Sequence, residues 1–275
     1  MTPRICLEVW GGDPNELVGI ARHAEVIGLD GVYLGESPTS LNAETWTTLG
    51  AVAAVTDQIR LGPVIANLLP DYRSAALLAR QGAALAELSE GRFDFRTGVG
   101  ASQRAGRAWW SPAGVAYPPY AQRLDEAERQ LAELRTAWAN ADLPTIEITI
   151  AATSERGLAL AAQFGQRWET SFATIVEWRE RAAAAPPHLR SSLEIDAFVG
   201  SESDPEQVWR DAVATRRSED LDAIRDRALV GAPTQVAGQL QTLAAAGVGQ
   251  LVVAPHDPSD LAALSRLAEA AALAR

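Results

Sequence analysis

Short apolar runs with little polar interruption alternate along this chain with longer stretches of helical period. The clearest case lies in residues 57–102, where an apolar run (Ile59–Asn67) leads through a loop with Pro70 and Tyr72 into a helical stretch, Ser74–Ser89. A Gly91-Arg92-Phe93 break follows, and then a second run that ends in Gly98-Val99-Gly100. Strands covered on both faces lose the in-out alternation of an exposed sheet, so this unit predicts parallel strands joined by a crossover helix.

The same alternation places further strands at Ile5–Trp10, Gly31–Gly35, Thr145–Ala151, Trp168–Ser171, Leu193–Val199 and Gln250–Ala254. Helices are expected from Pro14 to about Ile27, at Ala43–Thr56, Tyr120–Trp138 and Glu155–Phe164, and from Thr174 to about Ala185. Three more fall in the charged stretch Asp204–Arg227, from near Pro233, and at Ser259–Arg275. Eight strands alternating with helices favour a TIM-type (β/α)8 barrel, with residues 1–275 as one domain. A doubly wound open sheet would carry a glycine-rich fingerprint after the first strand, which Gly11-Gly12 does not satisfy.

Within this frame the period-2 rule assigns faces. Cys6, Glu8 and Trp10 point into the barrel, and Ile5, Leu7 and Val9 meet the helices. Glu36 and Ser37 fall at the carboxyl end of the second strand, in the mouth where barrel enzymes do chemistry. Glu194 and Asp196 share a face with Phe198, and acidic groups inside a barrel need partners, for which Arg96 and Arg167 are candidates. Residues 101–119 read as a long loop carrying Arg104, Arg107, Trp109, Trp110 and Tyr117, fit either to close over an aromatic, anionic ligand or to pack a subunit interface. Small residues at Ala152-Thr153-Ser154 open a helix, where free N–H groups suit a phosphate; Ser154 as a plain cap is the alternative.

Charge and composition narrow the chemistry. A net charge of −11 disfavours nucleic acid and anionic membrane as partners. The single cysteine, Cys6, excludes an internal disulfide; with no signal-peptide pattern and no long apolar run, a cytoplasmic protein is expected. His23, His188 and His256 lie far apart without ligands at short spacing, so no metal site is expected, and only His256, just past a strand, sits where an acid or base would be placed. The chain has no lysine, which rules out a Schiff-base aldolase, and no G-x-S-x-G elbow or phosphate-binding Walker loop. The hard chemistry then falls to an organic cofactor.

Seven segments, taken in order, carry a resemblance: Ala24–Ser37, Ile59–Ala66, Leu85–Phe93, Gly98–Gly100, Tyr120–Leu134, Ile150–Gly165 and Leu229–Val248. Together they resemble the bacterial luciferase-like oxidoreductases. The resemblance implies a (β/α)8 barrel that binds FMN or the deazaflavin F420 at its carboxyl end and acts on a small-molecule substrate, most often as a homodimer. It implies that Ala152, Thr153 and Ser154 meet the cofactor phosphate near Gly98 and Gly100, and that Val64-Ile65 is the non-prolyl cis peptide backing the ring. Where sugar-phosphate dehydrogenases of the family carry an Asp-His pair, this chain has Glu36-Ser37.

Reduced FMN would imply an oxygen-dependent monooxygenase with a separate reductase, whereas F420 would imply hydride transfer; a non-catalytic flavin-binding relative is a further reading. Arg73, Arg104 and Arg107 near the mouth would suit the acidic tail of F420, which tips the expectation to the deazaflavin. The substrate is then expected between Trp10, Trp109 or Trp110 and Trp168, with Glu36 as proton donor or acceptor and His256 or Ser37 in reserve.

Overall fold

A computed structural model describes residues 2–36, 38, 43–70, 72–215 and 220–275. The first half of the chain runs β1 (Arg4–Val9), α1 (Pro14–Val26), β2 (Gly31–Gly35), α2 (Thr45–Val55), β3 (Arg60–Val64), β4 (Ala66–Asn67), α3 (Ala75–Leu88) and β5 (Asp94–Gly98). It continues through α4 (Gln103–Trp110), α5 (Tyr120–Ala139), β6 (Glu147–Ala151), α6 (Glu155–Phe164), β7 (Arg167–Ser171) and α7 (Ile175–Ala184). The last part is β8 (Arg190–Val199), α8 (Gln207–Thr215), α9 (Leu221–Arg225), β9 (Ala228–Gly231), α10 (Pro233–Ala245), β10 (Gln250–Pro255) and α11 (Leu261–Leu273).

The strands are parallel and ordered β3-β2-β1-β10-β8-β7-β6-β5-β4. β3 and β4 are consecutive pieces of one strand on either side of a cis Val64–Ile65 peptide, so pairing of β4 with β5 and a bridge between Leu61 and Phe93 bring the ring almost to closure. This is the expected TIM-type barrel. The short strand β9 pairs with β8 beyond the reach of β7.

Helix boundaries follow local chemistry. Asp13 caps α1 with Pro14 behind it, and Gly28 leaves that helix at φ +80°, a conformation open to glycine. Ser74 caps α3, and Thr174 with Glu177 forms a capping box on α7. Two expectations are corrected. Much of 101–119 is not loop but helix α4 and a following 3-10 turn, Ser111–Ala113, and β9 lies where only a loop was expected.

Two kinds of packing surround the strands. Ile5, Leu7 and Val9 join the large apolar layer between strands and helices, and Cys6 meets Tyr33, Val64 and Val252 inside the ring. The rest of the interior is unusually polar. Tyr33 donates to Asp94 (2.7 Å), Arg60 donates to the same carboxylate (2.9 Å), and Arg96 lies 4.3 Å over the Tyr33 ring. Among the described residues no helix is long and apolar enough to cross a membrane.

Candidate active site

At the carboxyl end of the barrel lies a cavity of about 700 Å³, within the range that holds small ligands and cofactors. Its wall is apolar and aromatic, from Trp10, Val64, Ile65, Trp109, Trp110, Tyr117 and Tyr120. Its floor is polar, from Glu169, Thr170, Ser171, Arg181 and Glu194.

One side is built by close backbone approach. A Cβ on Gly106 would sit 1.9 Å from the Tyr117 ring, and one on Gly100, already at φ +76°, 2.4 Å from its hydroxyl. The missing side chains let Tyr117 lie flat against α4 and donate to Ala101 O (2.8 Å). Arg123, buried on α5, fastens the same segment by donating to Val99 O (2.7 Å), Ala101 O (2.9 Å), Pro118 O (2.7 Å) and Gln103 Oε1 (3.0 Å).

Two carboxyl groups of the floor, Glu169 and Glu194, and a third behind them, Glu8, lie near one guanidinium. Arg96, fully buried, pairs with Glu169, which also accepts from Ser192 Oγ (2.6 Å). Glu194 accepts from Ser171 Oγ (2.6 Å) and is hydrogen-bonded to Glu8, and Glu8 accepts from Trp10 Nε1. Burial, with Glu194 next to it, pushes the Glu8 carboxyl well above the usual carboxylate range. Burial first, and then the nearby Glu169, push Glu194 up to about 7. Near neutrality Glu8 therefore keeps its proton and donates it to Glu194, which faces the cavity and titrates there.

Of the residues singled out in the sequence, the structure brings Val64, Ile65, Gly98, Gly100, Ala152, Thr153, Trp10, Trp109 and Trp110 together around this cavity. Trp10 meets Trp109 edge-on at 5.7 Å across the mouth. Ser154 is the cap of α6, accepting from Gly157 N (3.1 Å) and bonded to Tyr120 Oη (2.7 Å).

Others lie elsewhere. Glu36 is buried behind the wall and accepts from Trp46 Nε1 (2.9 Å), Asn67 N (2.8 Å), Asn67 Nδ2 (3.1 Å) and Arg73. It is an anchor for the segment after β4, not a lining group. His256 borders a separate recess of about 200 Å³ between α8 and α11. Trp168 points outward and stacks on Trp178 at 5.1 Å, because the strand period that turns Glu169 inward turns its neighbour out. Ser37 lies outside the described residues.

The arginine expectations change likewise. Arg73 is held by Glu36 and Glu44 and stacks on Trp46 and Tyr72, and Arg104 and Arg107 are exposed on α4 away from the lining. Arg96 serves Glu169 and Arg167 serves Glu147 (2.9 Å), so neither pairs directly with Glu194.

A flavin-sized ring and a phosphate suit what lines this cavity: a flat apolar wall at Val64-Ile65, small residues at the α6 amino terminus, and a proton-holding floor. The family model described as luciferase-like monooxygenase matches residues 6–221, and the chain belongs to that family. A sequence search of curated proteins finds no match.

Solved structures with a similar fold include an F420-dependent secondary alcohol dehydrogenase in complex with an F420–acetone adduct (TM-score 0.80, 15% identity, all of both chains covered). Another is the coenzyme F420-dependent tetrahydromethanopterin reductase from Methanopyrus kandleri (0.73, 15% identity, 96% of this chain and 97% of that one). A third is the oxygenating constituent of 3,6-diketocamphane monooxygenase from Pseudomonas putida in complex with FMN (0.76, 18% identity, 98% and 96%). The neighbours thus include both cofactor types.

Proposed function

We propose that this chain is a deazaflavin-dependent oxidoreductase that moves hydride to or from a small carbonyl or alcohol substrate. The observation that carries the reading is the cavity floor, where Glu194, oriented by Ser171 Oγ (2.6 Å) with Glu8 beside it, faces an apolar wall, and burial raises both carboxyls. Interconverting an alcohol and a carbonyl moves a hydride at carbon and a proton at oxygen. Val64 and Ile65 would back a bound deazaflavin, which would supply the hydride partner.

The chain's own residues do the rest. Glu194 takes the hydroxyl proton in oxidation or returns it in reduction, and a group that titrates at about 7 serves both directions. Glu8 donates a hydrogen bond that stabilises the Glu194 carboxylate, and Ser171 Oγ fixes its orientation. Trp10, Trp109 and Trp110 narrow the mouth and exclude water from the reacting atoms. Ala152 and Thr153 give the cofactor phosphate a helix amino terminus.

Titration of the full chain with F420 and with FMN, each oxidised and reduced, followed by fluorescence and heat, tests the reading. Tight F420 binding with weak FMN binding is expected, together with substrate-dependent loss or gain of deazaflavin absorbance. Preference for reduced FMN would replace this function with an oxygen-dependent monooxygenase served by a reductase. F420 held without any redox change would leave a binding protein, and no binding of either cofactor would remove the flavin reading altogether.

A further inference from the structure

We propose that Arg181 is an anion receptor of the cavity, taking the phosphate or carboxylate of a bound ligand. Arg181, on α7, is the one cation among the described lining residues. Its Nη1 donates to Thr170 Oγ1 (2.6 Å) and Ser171 O (3.4 Å), and among the described residues no group accepts from Nη2 or Nε.

Neighbouring carboxylates are engaged elsewhere. Glu177, one turn back on α7, is held by Thr174 N (2.8 Å) and by Arg227 (3.0 Å). Glu169 is held by Arg96 and Ser192, and Glu194 by Ser171 and Glu8. Arg4, Arg60, Arg96, Arg167 and Arg190 of the barrel strands, and Arg73 behind the wall, each have a carboxylate partner. Arg181 does not, and its planar fork of donors matches a phosphate or carboxylate in two-point contact.

Its position serves two ligands. Thr170 precedes Ser171, the Glu194 partner, so an anionic group on a substrate would dock next to the proton-holding pair. Ala151 pairs in register with Glu169, so the Ala152-Thr153 turn is only one strand away, within reach of a cofactor phosphate or acidic tail. The second source rests on the flavin reading above; the first does not.

The test is titration of the wild-type chain, Arg181→Gln and Arg181→Lys, followed by tryptophan fluorescence and heat. The probes are inorganic phosphate, benzoate, and two matched pairs: FMN with riboflavin, and F420 with its tail-less core. Arg181→Gln is expected to lose roughly 10- to 100-fold in affinity for the anionic probes it serves, with Arg181→Lys recovering part. A loss confined to FMN or F420, absent for riboflavin or the core, places the anion on the cofactor. A loss confined to benzoate or phosphate places it on the substrate. Equal affinity of wild type and Arg181→Gln for every anion, or no anion binding by the wild type, overturns the proposal. Failure of the flavin reading looks different: no flavin or deazaflavin binds, while phosphate binding still depends on Arg181. Thr170→Val keeps the cation but removes the hydroxyl that aims it, and should weaken the same affinity by a few-fold; this covers a Gln variant that fails to fold.

Discussion

A carboxyl group removed from water keeps its proton unless a cation or several donors offset the burial. The barrel presents Glu8, Glu169 and Glu194 to a single arginine, and Arg96 is taken by Glu169, so the remaining pair divides a proton. Glu194→Gln removes the group that titrates at the cavity. It should lower kcat on the order of 100-fold or more and erase the limb near pH 7 from the rate profile, as steady-state kinetics across pH would show. Glu36→Gln should behave in the opposite way. It leaves Arg73 without its buried counter-charge and costs on the order of 3 kcal/mol in stability by denaturant unfolding, while the pH 7 limb stays in place. Sequence period alone marked Glu8 and Glu194 as inward-facing, because side chains on a strand alternate. It did not show that Glu36, one residue beyond β2, would turn behind the wall to Trp46 and Asn67, since the direction of a residue past a strand end is set by its tertiary partners.

At the scale of elements, strands and long helices were legible because each buries an apolar face with a clear period. Helix α4 was not: its apolar face, Ala105, Gly106, Trp109 and Trp110, covers only about two turns of an eight-residue helix, too short a period to tell from a loop. Strand β9 has four residues and leads almost at once into Pro233, too short for a periodic signal. What holds α4 in place is Arg123 and the gap at Gly100 and Gly106 into which Tyr117 fits. Arg123→Gln should therefore speed amide exchange across residues 99–118 while the barrel strands stay protected, with a local loss on the order of 2 kcal/mol. Gly106→Ala should displace Tyr117 and weaken cofactor binding, measurable by the same titration, with a smaller effect on global unfolding.

For the whole molecule, a polar barrel interior makes folding and chemistry respond to pH through the same groups. Glu194 rises from an ordinary value of 4.5 to about 7 on folding, and Glu8 rises well above the carboxylate range. A raised carboxyl means that the folded chain holds a proton which the unfolded chain has released. The stability tied to Glu194 is thus fully present below about pH 4.5 and is lost as pH rises through about 7. Glu25, Glu126, Glu147 and Asp257 act in the other direction: donors or cations hold them low, and their contribution falls away under acid. The net profile mixes both signs, but a difference between two proteins separates them. The amide of Glu194→Gln fills nearly the same space and does not titrate, so its stability relative to wild type should rise steadily between pH 4.5 and 7, by roughly 3 kcal/mol over the interval, and level off above it. Urea unfolding of both proteins at half-unit steps of pH reads this directly. A flat difference across the window would mean that Glu194 ionises in the folded barrel as it does in water, and the proton assigned to the cavity floor would have to be sought elsewhere.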